Sequence, residues 1–248
     1  MKLGKQPAKK DDRTLKFEKY LGAAIPAPPT VVDWYKGVTS FGMMENDTLG
    51  DCTIASKGHD LQVASLNSTG EITLTDAQAI DYYSLWCDYV PGDPSTDNGG
   101  VILDVLNDWR AQKLINHRLL AYAALTPTDQ VSVSKAVELF GVVDVGLQLP
   151  ISAQEQVGGV WDVASGANGQ PGSWGGHDVT MGAYNAIGPI FITWGALQQA
   201  TWAFLSAYSD ELYALLIGMW MGGGPPGSFA PSGFDLKQLQ ADLNAVTG

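Results

Sequence analysis

The sequence predicts an α+β protein in which a helical half, from about residue 50 to 120, precedes a strand-rich half, from about 130 to 220. Two observations carry this. Before residue 120, apolar residues recur at helical spacing between capping and stop signals. Beyond it they alternate, as in half-buried strands. At 248 residues the chain is long enough for one large domain or two modest lobes, each with its own core, and it shows no internal repeat.

Residues 1–30 form an extended N-terminal tail, polar at first and then proline-rich through Ile25-Pro26-Ala27-Pro28-Pro29. Its basic residues, Lys2 to Lys19, read as a solvated tail rather than a nucleic-acid arm. From Asp51 a helix is expected: Asp51 can cap it, Ile54, Leu61, Ala64 and Ser65 keep one face apolar or small, and Asn67-Ser68-Thr69-Gly70 stops it. Cys52 then lies in the first turn. Thr75-Asp76-Ala77-Gln78 opens a second helix that runs through Ile80, Tyr83 and Leu85 to Val90, ended by Pro91-Gly92-Asp93-Pro94. Val131 to Leu139 reads as a helix, and Val142 to Leu149 alternates like a strand. Asp178 to Tyr184 and Pro189 to Trp194 are two more strands, joined by the turn-rich Asn185-Ala186-Ile187-Gly188. Tyr208 to Met219 reads as a strand, although Glu211 to Leu216 also fits a helix. The main folded region thus spans residues 31–221. Residues 222–248 follow as a Gly/Pro linker and a helix capped by Ser232, with Leu236, Leu239, Leu243 and Val246 on one face.

Composition removes several classes of function. The chain holds 14 basic and 26 acidic residues, and seven of the basic ones fall between Lys2 and Lys19, so the remainder carries 7 − 23 = −16. Such a body repels phosphate backbones and anionic membranes and attracts cationic peptides. Residues 1–19 lack the apolar run of a signal peptide, and no stretch approaches membrane-spanning length without polar residues. Two cysteines make no disulfide framework, which fits a reducing compartment; a cytoplasmic location is expected. Metal-ligand spacing, phosphate loops and nucleotide motifs are lacking, so no cofactor is expected.

Four segments, in order, carry a resemblance. Val32-Asp33-Trp34-Tyr35-Lys36-Gly37-Val38-Thr39 comes first. Cys52 follows within Glu45-Asn46-Asp47-Thr48-Leu49-Gly50-Asp51-Cys52-Thr53. Next is Asp97-Asn98-Gly99-Gly100, with a helix expected over Val101 to Trp109. Last, Trp174-Gly175-Gly176-His177-Asp178-Val179 precedes Ile192-Thr193-Trp194-Gly195. Together they resemble the papain-like cysteine peptidases, as motifs in order over roughly residues 30 to 220 rather than as continuous identity. The resemblance implies a two-lobed fold, a helical lobe plus an antiparallel β-barrel-like lobe, with the active-site cleft between them. It also implies a peptide or protein substrate. The copy departs from the pattern: Leu49 and Asp97 stand where matching motifs have Cys, and Cys87 has no evident partner.

The resemblance makes Cys52 the nucleophile and His177 its base. A thiol attacks as thiolate, and a helix N-terminus with a neighbouring imidazolium lowers its pKa. Asn46 stands where the family has a glutamine whose amide helps to hold the oxyanion, on a stem one methylene shorter. Thr193 stands where the family has the asparagine that orients the imidazole, and its hydroxyl either takes that role or serves strand packing; Trp194 matches the indole that covers the imidazole and is counted with the substrate-binding residues. Gly99, Gly100 and Gly176 are the candidate substrate-binding backbone, because glycine allows close strand-like pairing with a peptide. Asp51, directly before the thiol, opposes thiolate formation; His59 and His117 read as structural or solvated. The leading reading is a cysteine hydrolase, a peptidase or amidase. Two alternatives stand beside it: a weak or inactive papain-fold binding or structural protein, for instance virion-associated, and a thiol acyltransferase.

Overall fold

The computed structural model describes residues 1–22 and 26–219. Its elements are, in chain order, β1 (Val32–Asp33), α1 (Cys52–Leu66), α2 (Asp76–Cys87), α3 (Ile102–Ala111), β2 (Leu119–Leu125), α4 (Gln130–Phe140), β3 (Val143–Leu149), α5 (Ser152–Glu155), β4 (Val160–Trp161), β5 (Gly175–Tyr184), β6 (Pro189–Thr193), β7 (Ala196–Ala200), α6 (Trp202–Tyr208) and β8 (Ser209–Ile217). The first three longer helices precede the long strands, and the class is α+β. The linker and helix expected over 222–248 lie outside the described residues.

Eight strands make one sheet in the order β2-β8-β3-β5-β6-β7-β4, with β1 paired to β5. All pairs are antiparallel except β4 with β7. Side chains alternate across a strand, so each strand can feed two cores. On β8, Leu212, Ala214 and Leu216 enter a core with α4, α6, Trp161 and Phe191, while Tyr213, Leu215 and Ile217 enter another with α1, α2 and α3. Strands buried on both faces read as nearly continuous apolar runs, which explains why Glu211 to Leu216 fits a helix equally well in sequence.

Local chemistry sets most boundaries. Thr75 and Gln78 form a reciprocal capping box at the start of α2, and α2 ends at Cys87, three residues before Val90, because Asp88 turns left-handed at φ 58°. Asp129 caps α4 through Ser132 N, and Gly141 at φ 81° ends it. Asp51 does not cap α1: its side chain makes no capping bond, is fully buried, and accepts from Asn46 instead. Every residue of α1 from Cys52 to Ser65 is buried. It is therefore the central helix of its lobe, and one apolar face was too narrow an expectation. β5 begins at Gly175, ahead of Asp178, so His177 is a strand residue. β2, β7 and α6 were not singled out in sequence.

The N-terminal tail also departs from expectation. Lys5 is 6% exposed, and Phe17 and Tyr20 are buried in the strand-rich core. A run of like charges reads as solvated only when nothing opposite awaits it; here the acidic body does.

Candidate active site

Cys52 is the first residue of the 15-residue α1 and is 1% exposed. Its sulfur faces the backbone amides of Asp178, on β5, and of Gly4, on the tail. Burial pushes the thiol pKa well up, the charge of Asp178 adds to it, and the two amides only partly oppose this.

His177 lies on β5 opposite Leu147 of β3, fully buried. Its Nε2 sits 2.7 Å from Thr193 Oγ1, and among the described residues its Nδ1 has no hydrogen-bond partner. The indole of Trp194 stacks on the imidazole, with centroids 4.3 Å apart and planes 13° from parallel. That ring is set by the β6–β7 hairpin: Thr193 pairs with Ala196, and Trp194 and Gly195 both take positive φ, 45° and 70°. A two-residue turn of this kind is usual between twisted strands, but an aromatic in its first position is uncommon. Burial pushes His177 down to about 3, so the imidazole is neutral in this state.

Asn46 is 2% exposed, and its amide nitrogen donates to Leu49 O at 3.2 Å and to Asp51 Oδ1 at 3.1 Å. Both amide hydrogens are thus engaged, and the side chain would have to swing to serve an oxyanion. Asp51 is pushed up to about 8, chiefly by burial, with the Asn46 bond opposing.

What fills the groove is the tail. Lys2 N donates to Asn46 O at 3.0 Å, Gly100 N to Gly4 O at 2.8 Å, Lys5 N to Gly176 O at 3.1 Å and Gln6 N to Gly100 O at 2.8 Å. Trp194 Nε1 donates to Lys2 O at 3.1 Å. Gly100 and Gly176 therefore pair with an extended peptide, and that peptide is the chain's own. The fit is close: a Cβ on Gly4 would enter Gly50 O, and one on Gly99 would enter Gly4 O. A cavity of about 360 Å³ lies farther along the tail, between Ala8 to Lys16 and Asp210 to Tyr213.

On α1, β3 and β5, the elements that carry or flank Cys52 and His177, lies a charged cluster that the sequence reading missed. Lys57, one turn into α1, contacts Asp144 Oδ1 at 2.5 Å, Asp178 Oδ2 at 3.0 Å and Ser56 Oγ at 2.9 Å, all fully buried or nearly so. Ser56 Oγ donates to Asp178 at 2.7 Å, and Thr180 Oγ1 to Asp60 at 2.9 Å. Burial alone would lower Lys57, but Asp144, Asp178 and Asp60 outweigh it and hold the ammonium charged. The signal available in sequence was the polar stripe Thr53, Ser56, Lys57 and Asp60 at helical spacing in α1, together with aspartates inside the apolar runs of β3 and β5. The cluster ties α1 to β3 and β5, and so fixes the thiol's helix against the histidine's strand.

No protein-family model and no curated protein sequence matches the chain. Solved structures do. Xylellain, a cysteine protease from Xylella fastidiosa, superposes with a TM-score of 0.64 at 14% identity, over 86% of this chain and 95% of that one. The Amb a 11 cysteine protease of ragweed pollen, in its proform, gives 0.54 at 16% identity, over 84% and 70%. The bromelain protease of Ananas comosus gives 0.51 at 16% identity, over 75% and 98%. Sequence identity this low speaks for the fold alone, and the fold of this chain is the papain-like fold of the cysteine proteases.

Proposed function

We propose that the chain is a papain-like cysteine hydrolase of peptide or amide bonds, held here with its groove occupied by its own tail. The observation that carries this is the neighbourhood of Cys52: a thiol at the N-terminus of a long helix, against the strand of a histidine whose Nδ1 is unpartnered and whose Nε2 is anchored on Thr193. Once the tail leaves, water enters and both burial effects weaken. The thiol proton can then pass to His177 Nδ1, giving a thiolate and an imidazolium. The thiolate attacks the carbonyl carbon of a bound peptide, the tetrahedral intermediate collapses, and the imidazolium gives its proton to the departing amine. Water, deprotonated by His177, then releases the acid from the thioester. Trp194 shields the imidazole face, and Thr193 holds the ring's orientation.

The engaged amide of Asn46 and the filled groove favour a second reading, a papain-fold protein that binds without efficient turnover. The strongly acidic body suits cationic peptides rather than nucleic acid, and two free thiols suit a reducing compartment such as the cytoplasm. Among the described residues no helix is long and apolar enough to cross a membrane.

Alkylation of Cys52 by iodoacetamide between pH 5 and 8 tests the hydrolase reading. The expected result is labelling that persists near pH 6 and falls in His177→Ala, with Cys52→Ala unlabelled at that site. Equal labelling of wild type and His177→Ala across the range would show that no ion pair forms and would leave the binding reading.

A further inference from the structure

The tail does more than cover Cys52, because one of its side chains enters a pocket built for a cation. From the residue next to Gly4, the Lys5 side chain runs over Gly146 and ends 2.9 Å from Asp210 Oδ2 and 3.1 Å from Glu211 Oε1. The ammonium is fully buried, and Glu211 is 7% exposed. Adjacent strand residues normally point to opposite faces. Here the β3–β8 register slips between Gly146 and Leu147, so that Gly146 faces Glu211, Leu147 faces Ser209, and Asp210 is left out of the ladder. That bulge is what lets two successive carboxylates reach one ammonium.

The pocket is held open and held acidic by other groups. A Cβ on Gly146 would lie 2.6 Å from Glu211 Cγ and 3.0 Å from Ile102 Cδ1 and would overlap the Lys5 chain, so glycine at 146 makes the floor. Tyr213 Oη donates to Glu211 Oε2 at 2.9 Å, and Gln148 Nε2 donates to Asp210 Oδ2 at 2.8 Å. Each carboxylate thus keeps its place through a neutral donor from the scaffold, independently of the tail. Lys5 reaches this pocket while its own backbone and that of Gly4 and Gln6 pair with Gly176 and Gly100, beside the thiol.

We propose that the pocket formed by Gly146, Ile102, Asp210 and Glu211 selects peptides carrying lysine or arginine beside the residue that faces Cys52, and that Lys5 occupies it in their stead. This rests on the reading of the groove as a peptide site, not on turnover. Charge-assisted bonds from the buried Glu211 and the partly exposed Asp210 favour a cation over an isosteric apolar chain by about tenfold or more.

The test uses the full chain carrying Cys52→Ala, so that no bond is broken, with Gly4→Val and Lys5→Ala to empty the groove. Fluorescence anisotropy measures binding of labelled Lys-Leu-Gly-Xaa-Gln-Pro-Ala-Lys, where Xaa is Lys, Arg, Leu or Glu. The expected order is Lys and Arg at least about tenfold tighter than Leu, with Glu weakest. Adding Glu211→Gln should collapse the ratio of Lys to Leu, and Glu211→Lys should bring Glu above Lys. Absence of binding by any peptide, Leu binding as well as Lys, or a ratio unmoved by Glu211→Gln overturns the proposal. Because binding needs no thiol, a basic preference with no histidine-dependent alkylation of Cys52 would remove the hydrolase reading and keep the pocket. Histidine-dependent alkylation without the preference would do the reverse.

Discussion

Substituting Gly4 by valine should open the groove. A Cβ at this position would overlap Gly50 O, a backbone atom that cannot swing away as a side-chain tip would. The tail must back off by enough to lose the bond from Gly100 N to Gly4 O and, with it, the one from Lys5 N to Gly176 O. At about 1 kcal/mol net for each, docking weakens by about 2 kcal/mol, or on the order of 30-fold in the docking equilibrium. Cys52 is 1% exposed with the tail in place, so its alkylation is limited by opening. Iodoacetamide labelling read by mass spectrometry should therefore accelerate at Cys52 by roughly 10- to 30-fold. Cys87, partly exposed and packed behind Gly100 rather than against the tail's bonded backbone, is the internal control. Hydrogen exchange at the amides of Lys5 and Gln6 should accelerate in parallel. An unchanged ratio of Cys52 to Cys87 labelling, with unchanged protection at Lys5 and Gln6, would refute the view that the tail controls access to the thiol.

Thr193→Val removes the 2.7 Å bond to His177 Nε2 and should cost about 1 kcal/mol of stability in urea unfolding, with a changed nitrogen chemical shift for His177; Thr193→Asn should restore the shift, and an unaltered shift in Thr193→Val would show that the bond does not hold the ring. Asp51 is raised in the folded chain to about 8, above its unfolded value near 3.9, so its stabilising contribution is present below about pH 4 and lost as pH rises through about 8. Asp51→Asn, which cannot titrate, should gain stability relative to wild type across that window, by a few kcal/mol at most, and a constant difference between pH 4 and 8 would count against the burial of the carboxyl. Lys57→Met leaves Asp144 and Asp178 without their cation and should destabilise by about 3–5 kcal/mol in urea unfolding, partly recovered by adding Asp144→Asn; a cost below about 1 kcal/mol would mean that the cluster does not carry its ammonium.

Capping and spacing alone determined much of this protein. Thr75 with Gln78, the stop after Leu66 and the alternation of Val143 to Leu149 were all legible, because each acts within a few residues of itself. Cys52 and His177 were singled out by the resemblance of their segments to papain-like motifs, not by capping or spacing. What only the tertiary structure decided are relations between distant segments of unlike chemistry. Asn46 turned to Asp51, as burial left that carboxyl needing a donor. The doubly buried β8 hid its strand period from sequence. The basic tail found the acidic wall of Asp210 and Glu211, some 205 residues away, where a one-residue slip in register aims both carboxylates at Lys5. Sequence reports the sign and spacing of charges along the chain; which of them meet, and whether water stands between them, is fixed only when the backbone folds.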